Sequence, residues 1–304
     1  MNAAAHSVTG AGELLRDEPM AKHTSWRVGG PADQLYRPSA IKELVDFLAA
    51  LAPGTPLVWL GFGSNLLVRD GGIRGVVIST TALPKVLERL DSTHVRVGAG
   101  VSCARLARQC ARWQLGPATF FAGIPGTIGG ALAMNAGAFG GETWANVEAV
   151  ETIDRAGAIR VRRRSEFAIG YRSVVGAREE WFVAATFRFE HDEAAGLDAI
   201  KSLLLQRGAA QPLGVPSCGS VFRNPPGDHA GRLIEAAGLK GWRIGGALIS
   251  DKHANFIIND GSATARDIEM LIAHVQREVA RASGVVLEPE VRIVGEPRGG
   301  GADA

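Results

Sequence analysis

The stretch FAGIPGTIGGALAMNAGAFGGE, which runs from Phe121 to Glu142, is the part of the sequence that most constrains the fold. So much glycine cannot sustain a regular helix or strand throughout. Glu142 is its one charged residue. Bare backbone of this kind lets peptide N–H groups approach a phosphate, and a flat ring system can pack on small residues. The stretch therefore predicts either a ligand-binding segment or a tightly packed glycine loop.

A second glycine cluster, GFGSN, covers Gly61 to Asn65 and follows the apolar run Leu57 to Leu60. No GK[ST] follows it and no GxGxxG opens a helix here, so neither common phosphate-binding motif is present. Alone, the cluster predicts a glycine turn between strands. Two uncharged glycine-rich segments in one chain favour a long ligand laid against backbone, and a dinucleotide fits that description.

Composition indicates a globular chain of more than one domain. The 304 residues are 46% hydrophobic and 21% charged, which is enough apolar material for a large core. The 33 basic and 31 acidic side chains nearly balance, so no general attraction to nucleic acid or to an anionic membrane is expected. The 3 cysteines form no CxxC, and no metal site is predicted. Neither a signal-peptide pattern nor a membrane-spanning stretch is evident, which predicts a cytoplasmic protein.

Apolar periodicity predicts alternating strands and helices, with a β-rich middle third. Strands are expected at 32–36, 57–60, 75–79, 94–98, 181–189, 220–223, 247–250, 255–258 and 285–294, with a hairpin over 147–164. Helices are expected at 41–51, 102–114, 192–206 and 232–237, and after the N-cap Thr264. Cys103 and Cys110 are 7 residues apart in one predicted helix, so both should pack on the same face.

Charged motifs allow a structural or a functional interpretation. Arg172 lies beside an apolar stretch, where a guanidinium is costly unless it meets an anion, although a structural ion pair is the default for a lone arginine. The basic run Arg160–Arg164 is typical of a solvated strand face. Glu290 should share a strand face with Glu288 and Arg292, and read alone that face is predicted to be exposed to solvent.

Taken together, six segments resemble those of the UDP-N-acetylenolpyruvoylglucosamine reductases, flavoenzymes of bacterial peptidoglycan synthesis. They occur in the family's order and with matching spacing, and the resemblance covers roughly residues 20 to 295. Six ordered motifs are highly specific. The segments are TSWRVGGPAD, GFGSNLLVRD, GIPGTIGGALAMNAGAFGGE, GYR, PSCGSVFRNP and LEPEVRIVG.

The resemblance implies an α+β fold of the vanillyl-alcohol oxidase type, in which two α/β subdomains hold FAD and a C-terminal α/β domain carries substrate groups. The implied parts are an FAD-binding domain at 20–200 (subdomains about 20–85 and 86–200), a substrate domain at 201–295, and flexible termini at 1–19 and 296–304. Asn65 stands where many relatives in the wider fold have a histidine that binds FAD covalently, so non-covalent FAD is expected. Little sequence precedes Gln211 after the hairpin, which matches the shorter branch of the family.

The resemblance also implies partners and binding residues. NADPH is the implied reductant, a UDP-sugar is the implied small-molecule substrate, and the protein is expected to be a monomer. FAD is expected at Gly61, Phe62, Gly63, Ser64, Asn65, Ile124, Pro125, Gly126, Gly129, Gly130 and Asn135. Substrate contacts are expected at Tyr171, Arg207, Arg223 and Asn224.

Three residues are implied to be catalytic. Ser220 is the implied proton donor, and since a serine hydroxyl is a very weak acid it needs nearby cations, for which Arg207 and Arg223 are candidates. Arg172 offers a forked donor to charge that develops on the substrate carboxylate. Glu290, if protonated, offers a hydrogen bond or orients its neighbours.

Family members commonly have a lysine just before the Gln-Pro pair, where this chain has Gly208-Ala209-Ala210. Lys240 or Arg243 is expected to substitute for that lysine. Two further hypotheses stay open at this point. One is another flavoenzyme of the same fold, such as an oxidase, and the other is a nucleotide-sugar-binding protein that has lost its flavin.

Overall fold

The computed structural model describes residues 12–176 and 178–299. The chain divides into two compact units, each formed by separate stretches of sequence. The first unit contains 12–15, Leu35–Phe62 and Val77–Arg207. The second unit contains Arg16–Gln34, Gly63–Val76 and 208–299. The predicted domain limits at 20–200 and 201–295 stay predictions.

The secondary structure mixes short strands with helices. The described strands are β1 Glu13–Pro19, β2 Pro31–Arg37, β3 Leu57–Leu60, β4 Leu66–Val68, β5 Ile73–Ser79, β6 Leu87–Arg89, β7 His94–Gly98, β8 Leu115–Gly116, β9 Gly137–Ala138, β10 Gly141–Glu142, β11 Val147–Asp154, β12 Ile159–Arg163, β13 Ala168–Gly170, β14 Ser173–Val175, β15 Glu180–Arg188, β16 Glu190–His191, β17 Arg243–Ile244, β18 Ala247–Ile249, β19 Ile257–Asn259 and β20 Arg292–Val294. The described helices are α1 Ile41–Ala50, α2 Cys103–Arg112, α3 Ile128–Met134, α4 Leu197–Ala210, α5 Ala230–Ala236 and α6 Ala265–Ser283. No helix of the described part of the chain is long and apolar enough to cross a bilayer.

The first unit is organised around a five-stranded antiparallel sheet with the order β12-β11-β15-β7-β6. Its core includes the apolar face of α2, and both Cys103 and Cys110 are fully buried there, as predicted. Ser102 caps that helix by accepting a hydrogen bond from Arg105 N at 3.2 Å. The predicted hairpin is confirmed as β11 and β12, which close at Asp154, whose carbonyl accepts from Gly157 N at 3.0 Å.

A four-stranded sheet has the order β1-β2-β5-β3. β1 covers Glu13–Pro19, a segment that the sequence placed in a flexible terminus. The structure corrects that expectation for residues 13–19, because the segment pairs with β2 and half-buries Leu14 and Leu15. The other part of that terminus, residues 1–11, and residues 300–304 lie outside the described residues.

The second unit packs α5 and α6 with an antiparallel sheet of order β17-β18-β19, and β20 pairs with β4 in parallel. Thr264 caps α6 as predicted, since its hydroxyl accepts from Asp267 N at 3.1 Å and the Asp267 carboxylate accepts from Thr264 N at 2.9 Å. Trp26 comes from far earlier in the chain, yet its indole Nε1 donates to Ile257 O at 2.8 Å within this core.

Two predicted strands are wrong in part. Residues 220–223 form no regular strand and are joined to the C-terminal segment by a single bridge between Phe222 and Pro289. The predicted strand at 285–294 is regular only over Arg292–Val294. The cause is an irregular pairing, because Pro289 has no N–H and Val221 O accepts from both Glu290 N at 2.7 Å and Val291 N at 3.4 Å.

Candidate active site

Ser220 lies in the second unit, in the segment PSCGSVFRNP. Gly219, just before it, has a left-handed backbone with φ 74°, and an added Cβ there would meet nothing within 4 Å. The turn at Ser220 therefore needs glycine for its backbone conformation and not for lack of space. Cys218 is buried, and its Sγ approaches Gly63 O at 3.8 Å and Leu66 O at 3.7 Å. Burial raises the pKa of the Cys218 thiol to about 12, so it stays protonated and packs the segment against the first glycine cluster.

A short backbone ladder brings Ser220 and Glu290 to the same part of the second unit. Val221, the residue after Ser220, accepts a hydrogen bond on its carbonyl from Glu290 N at 2.7 Å. Arg223 N donates to Glu288 O at 2.9 Å. Glu290 is half-buried, so the prediction that its strand face is exposed holds for Glu288 and Arg292 but is wrong for Glu290. The irregular pairing at Val221 accounts for the difference.

Asn65 connects the first glycine cluster to the same ladder. Its side-chain Nδ2 donates to Glu290 O at 3.0 Å, and its carbonyl accepts from Arg292 N at 3.1 Å. The cluster thus ends in a residue that is bonded to the main chain of both Glu290 and Arg292. The amide of Asn65 has a structural use that sequence reasoning did not find.

Packing within the protein itself explains two glycines of the first cluster. Gly63 has φ 62°, and an added Cβ would lie 2.0 Å from His23 O. At Gly61 an added Cβ would lie 2.4 Å from Thr127 Oγ1. Both contacts are far shorter than any real Cβ contact, so glycine is required for packing on the His23 backbone at Gly63 and on the Thr127 side chain at Gly61. Phe62, between them, is 44% exposed.

We expect Gly63→Ala to destabilise the protein far more than Gly219→Ala. Both positions have left-handed backbones, which alone costs an alanine about 1–2 kcal/mol. Gly63→Ala also forces the His23 carbonyl to move, whereas Gly219→Ala meets open space. Denaturant unfolding of both variants with saturating FAD measures the difference. Equal losses of unfolding free energy would contradict the packing role of Gly63.

The second glycine segment surrounds α3 in the first unit. Gly129 N donates to Ala99 O at 2.9 Å, and the Thr127 hydroxyl accepts from Gly130 N at 3.3 Å to cap the helix. Gly130 is exposed, and an added Cβ would find only the Thr127 hydroxyl, at 3.7 Å. The first turn of α3 therefore presents bare, uncharged backbone.

Arg172 is fixed to this second glycine segment. Its Nη1 donates to Asn135 O at 3.2 Å and its Nη2 to Gly137 O at 3.0 Å, and the guanidinium lies 5.1 Å from the ring centre of Tyr171. Arg172 has φ 52°, so its own backbone is in the left-handed region. The two bonds to main-chain carbonyls hold the forked cation in a defined orientation.

Asn135 was predicted to contact the cofactor, and the structure shows what its side chain does within the protein. It is buried, with φ 47° at the end of α3. Its Nδ2 donates to Glu142 Oε2 at 2.9 Å and to Gly170 O at 3.0 Å, while its Oδ1 accepts from Trp144 N at 3.0 Å. The amide therefore orders the loop that holds Arg172.

The predicted substrate residues fall into both units. In the second unit, Asn224 accepts from Ala230 N at 3.1 Å at the start of α5, and Arg223 Nη1 lies 3.7 Å from Glu288 Oε2. In the first unit, Tyr171 is 47% exposed, and burial lowers the pKa of Arg207 in α4. Within the second unit, backbone hydrogen bonds join the segment that contains Ser220, Arg223 and Asn224 to the main chain of Glu288 and Glu290.

Lys240 and Arg243, expected to replace the missing lysine, both form ion pairs with carboxylates. Lys240 Nζ lies 2.6 Å from Glu235 Oε1, and Arg243 is paired with Asp260. A different cation reaches the altered segment, because Lys252 Nζ donates to Gly208 O at 2.6 Å. Nothing in the sequence indicated Lys252, because no local motif connects it with Gly208, which lies 44 residues earlier in the chain.

Two arginines of the basic run Arg160–Arg164, Arg160 and Arg162, form ion pairs on the five-stranded sheet. Arg162 donates to both oxygens of Glu180, at 2.6 and 3.1 Å, and Arg160 lies beside Asp154. These contacts agree with its interpretation as a strand face. Among the described residues, no group of three or more His, Cys, Asp and Glu side chains is arranged to hold a metal ion.

Comparison with known proteins places this chain among flavoproteins. A family model described as an FAD-binding domain matches residues 32–162, and the model of the UDP-N-acetylenolpyruvoylglucosamine reductase C-terminal domain matches residues 211–294. The reductase of that name from Alkalilimnicola ehrlichii is 60% identical over 94% of this chain and 96% of its own. That from Methylococcus capsulatus is 56% identical over 97% of each chain. The crystal structure of the reductase from Thermus caldophilus matches with a TM-score of 0.79 and 35% identity over 93% of this chain and 98% of its own.

The FAD-binding family model and the match to the reductase structure define an FAD-dependent oxidoreductase with the α+β fold of the vanillyl-alcohol oxidase type, which confirms the predicted fold class. Within that class, the chain belongs to the UDP-N-acetylenolpyruvoylglucosamine reductase family of peptidoglycan precursor synthesis.

Proposed function

We propose that this chain uses NADPH to reduce the enolpyruvyl ether of UDP-N-acetylenolpyruvoylglucosamine, giving UDP-N-acetylmuramate. The observation that supports the proposal is the backbone pairing in the second unit, in which Val221, the residue after Ser220, accepts from Glu290 N at 2.7 Å within the family's own motifs. Relatives of that name at 60% and 56% identity cover nearly the whole chain, and this supports the same substrate. Residence in the cytoplasm and a monomeric state stay predictions.

Bound FAD would supply the redox chemistry, by accepting a hydride from NADPH and passing one from flavin N5 to the terminal carbon of the enolpyruvyl group. Gly61–Asn65, the segment Ile124–Gly130 and Asn135 are proposed to hold it. Exposed backbone at Gly130 and the exposed ring of Phe62 support this assignment. Asn65 offers an amide and no imidazole, which supports non-covalent attachment.

Ser220 is proposed to donate the proton that completes the reduction. After hydride addition the neighbouring substrate carbon has carbanion or enolate character and is strongly basic, which a weakly acidic hydroxyl can match. Arg223, three residues away, is the proposed cation that stabilises the resulting alkoxide, with Arg207 as a second candidate. Glu290 is proposed to hydrogen-bond the substrate or to orient its neighbours. Asn65 and Val221 form hydrogen bonds to the main chain of Glu290, which fixes the position of its Cα and limits where its side chain can reach.

Arg172 is proposed to stabilise negative charge that develops on the substrate carboxylate. A guanidinium offers two parallel donors to a carboxylate, and preorganised donors of this kind stabilise a charged transition state strongly. The bonds of Arg172 to Asn135 O and Gly137 O support such preorganisation. Asn224 and Tyr171 are proposed to contact the substrate.

Purified holoenzyme tests the proposal directly. We expect NADPH oxidation that depends on the enolpyruvyl sugar, with stoichiometric formation of UDP-N-acetylmuramate. Rapid reoxidation of the reduced flavin by O₂, with hydrogen peroxide produced from an alcohol substrate, would favour an oxidase of the same fold. A colourless protein that takes up no added FAD would favour a binding protein instead.

A further inference from the structure

Asn255 is a buried residue of the second unit, 3% exposed, beside the segment that contains Ser220. Its side-chain amide forms two hydrogen bonds to the main chain of one residue, Phe222. Oδ1 accepts from Phe222 N at 2.9 Å, and Nδ2 donates to Phe222 O at 2.8 Å. Its own carbonyl accepts from Val221 N at 2.9 Å. Asn255 thereby takes the place of a neighbouring strand for the two residues that follow Ser220.

The opposite edge of the same two residues is held by the C-terminal segment. Val221 O accepts from Glu290 N at 2.7 Å, and Phe222 is bridged to Pro289. Val221 and Phe222 are both buried, and so their main-chain groups depend on these protein partners. Removing the amide of Asn255 would leave the N–H and C=O of Phe222 without their partners on one edge.

We propose that Asn255 is a positioning residue for Ser220. By holding Val221 and Phe222 on one edge, while Glu290 and Pro289 pair with them on the other, it keeps the Ser220 hydroxyl in the geometry needed for proton donation. Proton transfer requires donor and acceptor within hydrogen-bond reach, and a shift of about 1 Å can lower a rate about 100-fold. This inference rests on the proposed function of Ser220.

The test compares Asn255→Ala with Asn259→Ala in the holoenzyme, by rapid mixing of each half-reaction. Asn259 is an equally buried asparagine of the same unit, and its amide bonds to Trp26 O, Gly261 N and Ala263 N at 2.8 to 3.0 Å. We expect Asn255→Ala to slow flavin reoxidation by the enolpyruvyl sugar about 10- to 100-fold, while flavin reduction by NADPH changes little. Asn259→Ala should slow neither step selectively.

Two further measurements separate positioning from general stability. The double variant Ser220→Ala/Asn255→Ala should be no slower in flavin reoxidation than Ser220→Ala, since the positioned hydroxyl is already gone. Asn255→Asp keeps the side-chain volume, and its protonated carboxyl can both donate to Phe222 O and accept from Phe222 N. Its reoxidation rate, relative to that of the unaltered enzyme, should therefore recover as the pH falls. This profile decides the question if Asn255→Ala does not fold.

The outcomes distinguish the inference from the proposed function. If Ser220→Ala slows reoxidation but Asn255→Ala does not, the positioning role of Asn255 is overturned and the role of Ser220 stands. Additive losses in the double variant, or an Asn255→Asp profile that lacks recovery at low pH, also overturn it. If Ser220→Ala itself leaves reoxidation unchanged, the proposed proton donor fails, and the inference fails with it.

Discussion

Ser220→Ala is expected to slow flavin reoxidation by the enolpyruvyl sugar by about 10²- to 10⁴-fold, the usual loss when a general acid is removed. Flavin reduction by NADPH should proceed at close to its normal rate, because that step needs no proton from this hydroxyl. Rapid-mixing absorbance of the bound flavin follows the two half-reactions separately. The backbone turn at Gly219 does not depend on the serine side chain, so the local structure should persist.

Ser217→Ala is the matched control, since it removes a hydroxyl from the same segment at a position without a proposed role. It should leave both half-reactions unchanged. Equal losses in both half-reactions of Ser220→Ala would show that the hydroxyl is structural. A loss confined to flavin reduction would also exclude Ser220 as the proton donor to the substrate.

Arg172→Lys is expected to lower the rate of flavin reoxidation by about 10²- to 10³-fold while preserving the positive charge. The guanidinium donates from Nη1 to Asn135 O and from Nη2 to Gly137 O, and an ammonium at the end of a lysine cannot reproduce this planar arrangement. The variant should also weaken binding of the enolpyruvyl sugar, which calorimetric titration of the oxidised enzyme measures.

Arg164→Lys supplies a control within the same unit, because Arg164 also donates to a main-chain carbonyl, from Nε to Trp144 O at 3.0 Å. It should leave flavin reoxidation nearly unchanged. If Arg172→Lys retains full activity, charge alone is sufficient at this position and the forked geometry has no catalytic part. If both variants lose activity alike, the loss reflects general damage to the unit.

Local sequence signals correctly predicted those helices and hairpins whose ends are marked by a capping pair or a turn motif. The Thr264 and Asp267 pair, with an apolar stripe behind it, predicted α6, and both halves of that capping arrangement are present. The turn from Asp154 to Gly157 similarly fixed the hairpin of β11 and β12. In each case the hydrogen bonds join residues only a few positions apart, so a short stretch of sequence contains the whole signal.

Sequence patterns could not predict the elements whose partners lie far along the chain. Residues 220–223 were predicted as a strand, but their hydrogen bonds go to Asn255 and to 288–291, which breaks the regular ladder. The amide of Asn65 is read as part of a glycine motif, yet it bonds to Glu290 O, 225 residues away. The resemblance supplied Ser220, Arg172 and Glu290 as candidates, and their roles stay predictions until the variants are measured.

The second unit is assembled from stretches that lie far apart in the sequence. Trp26, Val28 and Leu67 are buried in a core whose other members begin at Cys218, and β4 pairs with β20, which ends at Val294. Since synthesis proceeds from the N-terminus, these early apolar side chains lack most of their native partners until residues 218–294 have been made. The second unit therefore cannot complete its folding before this later segment has left the ribosome.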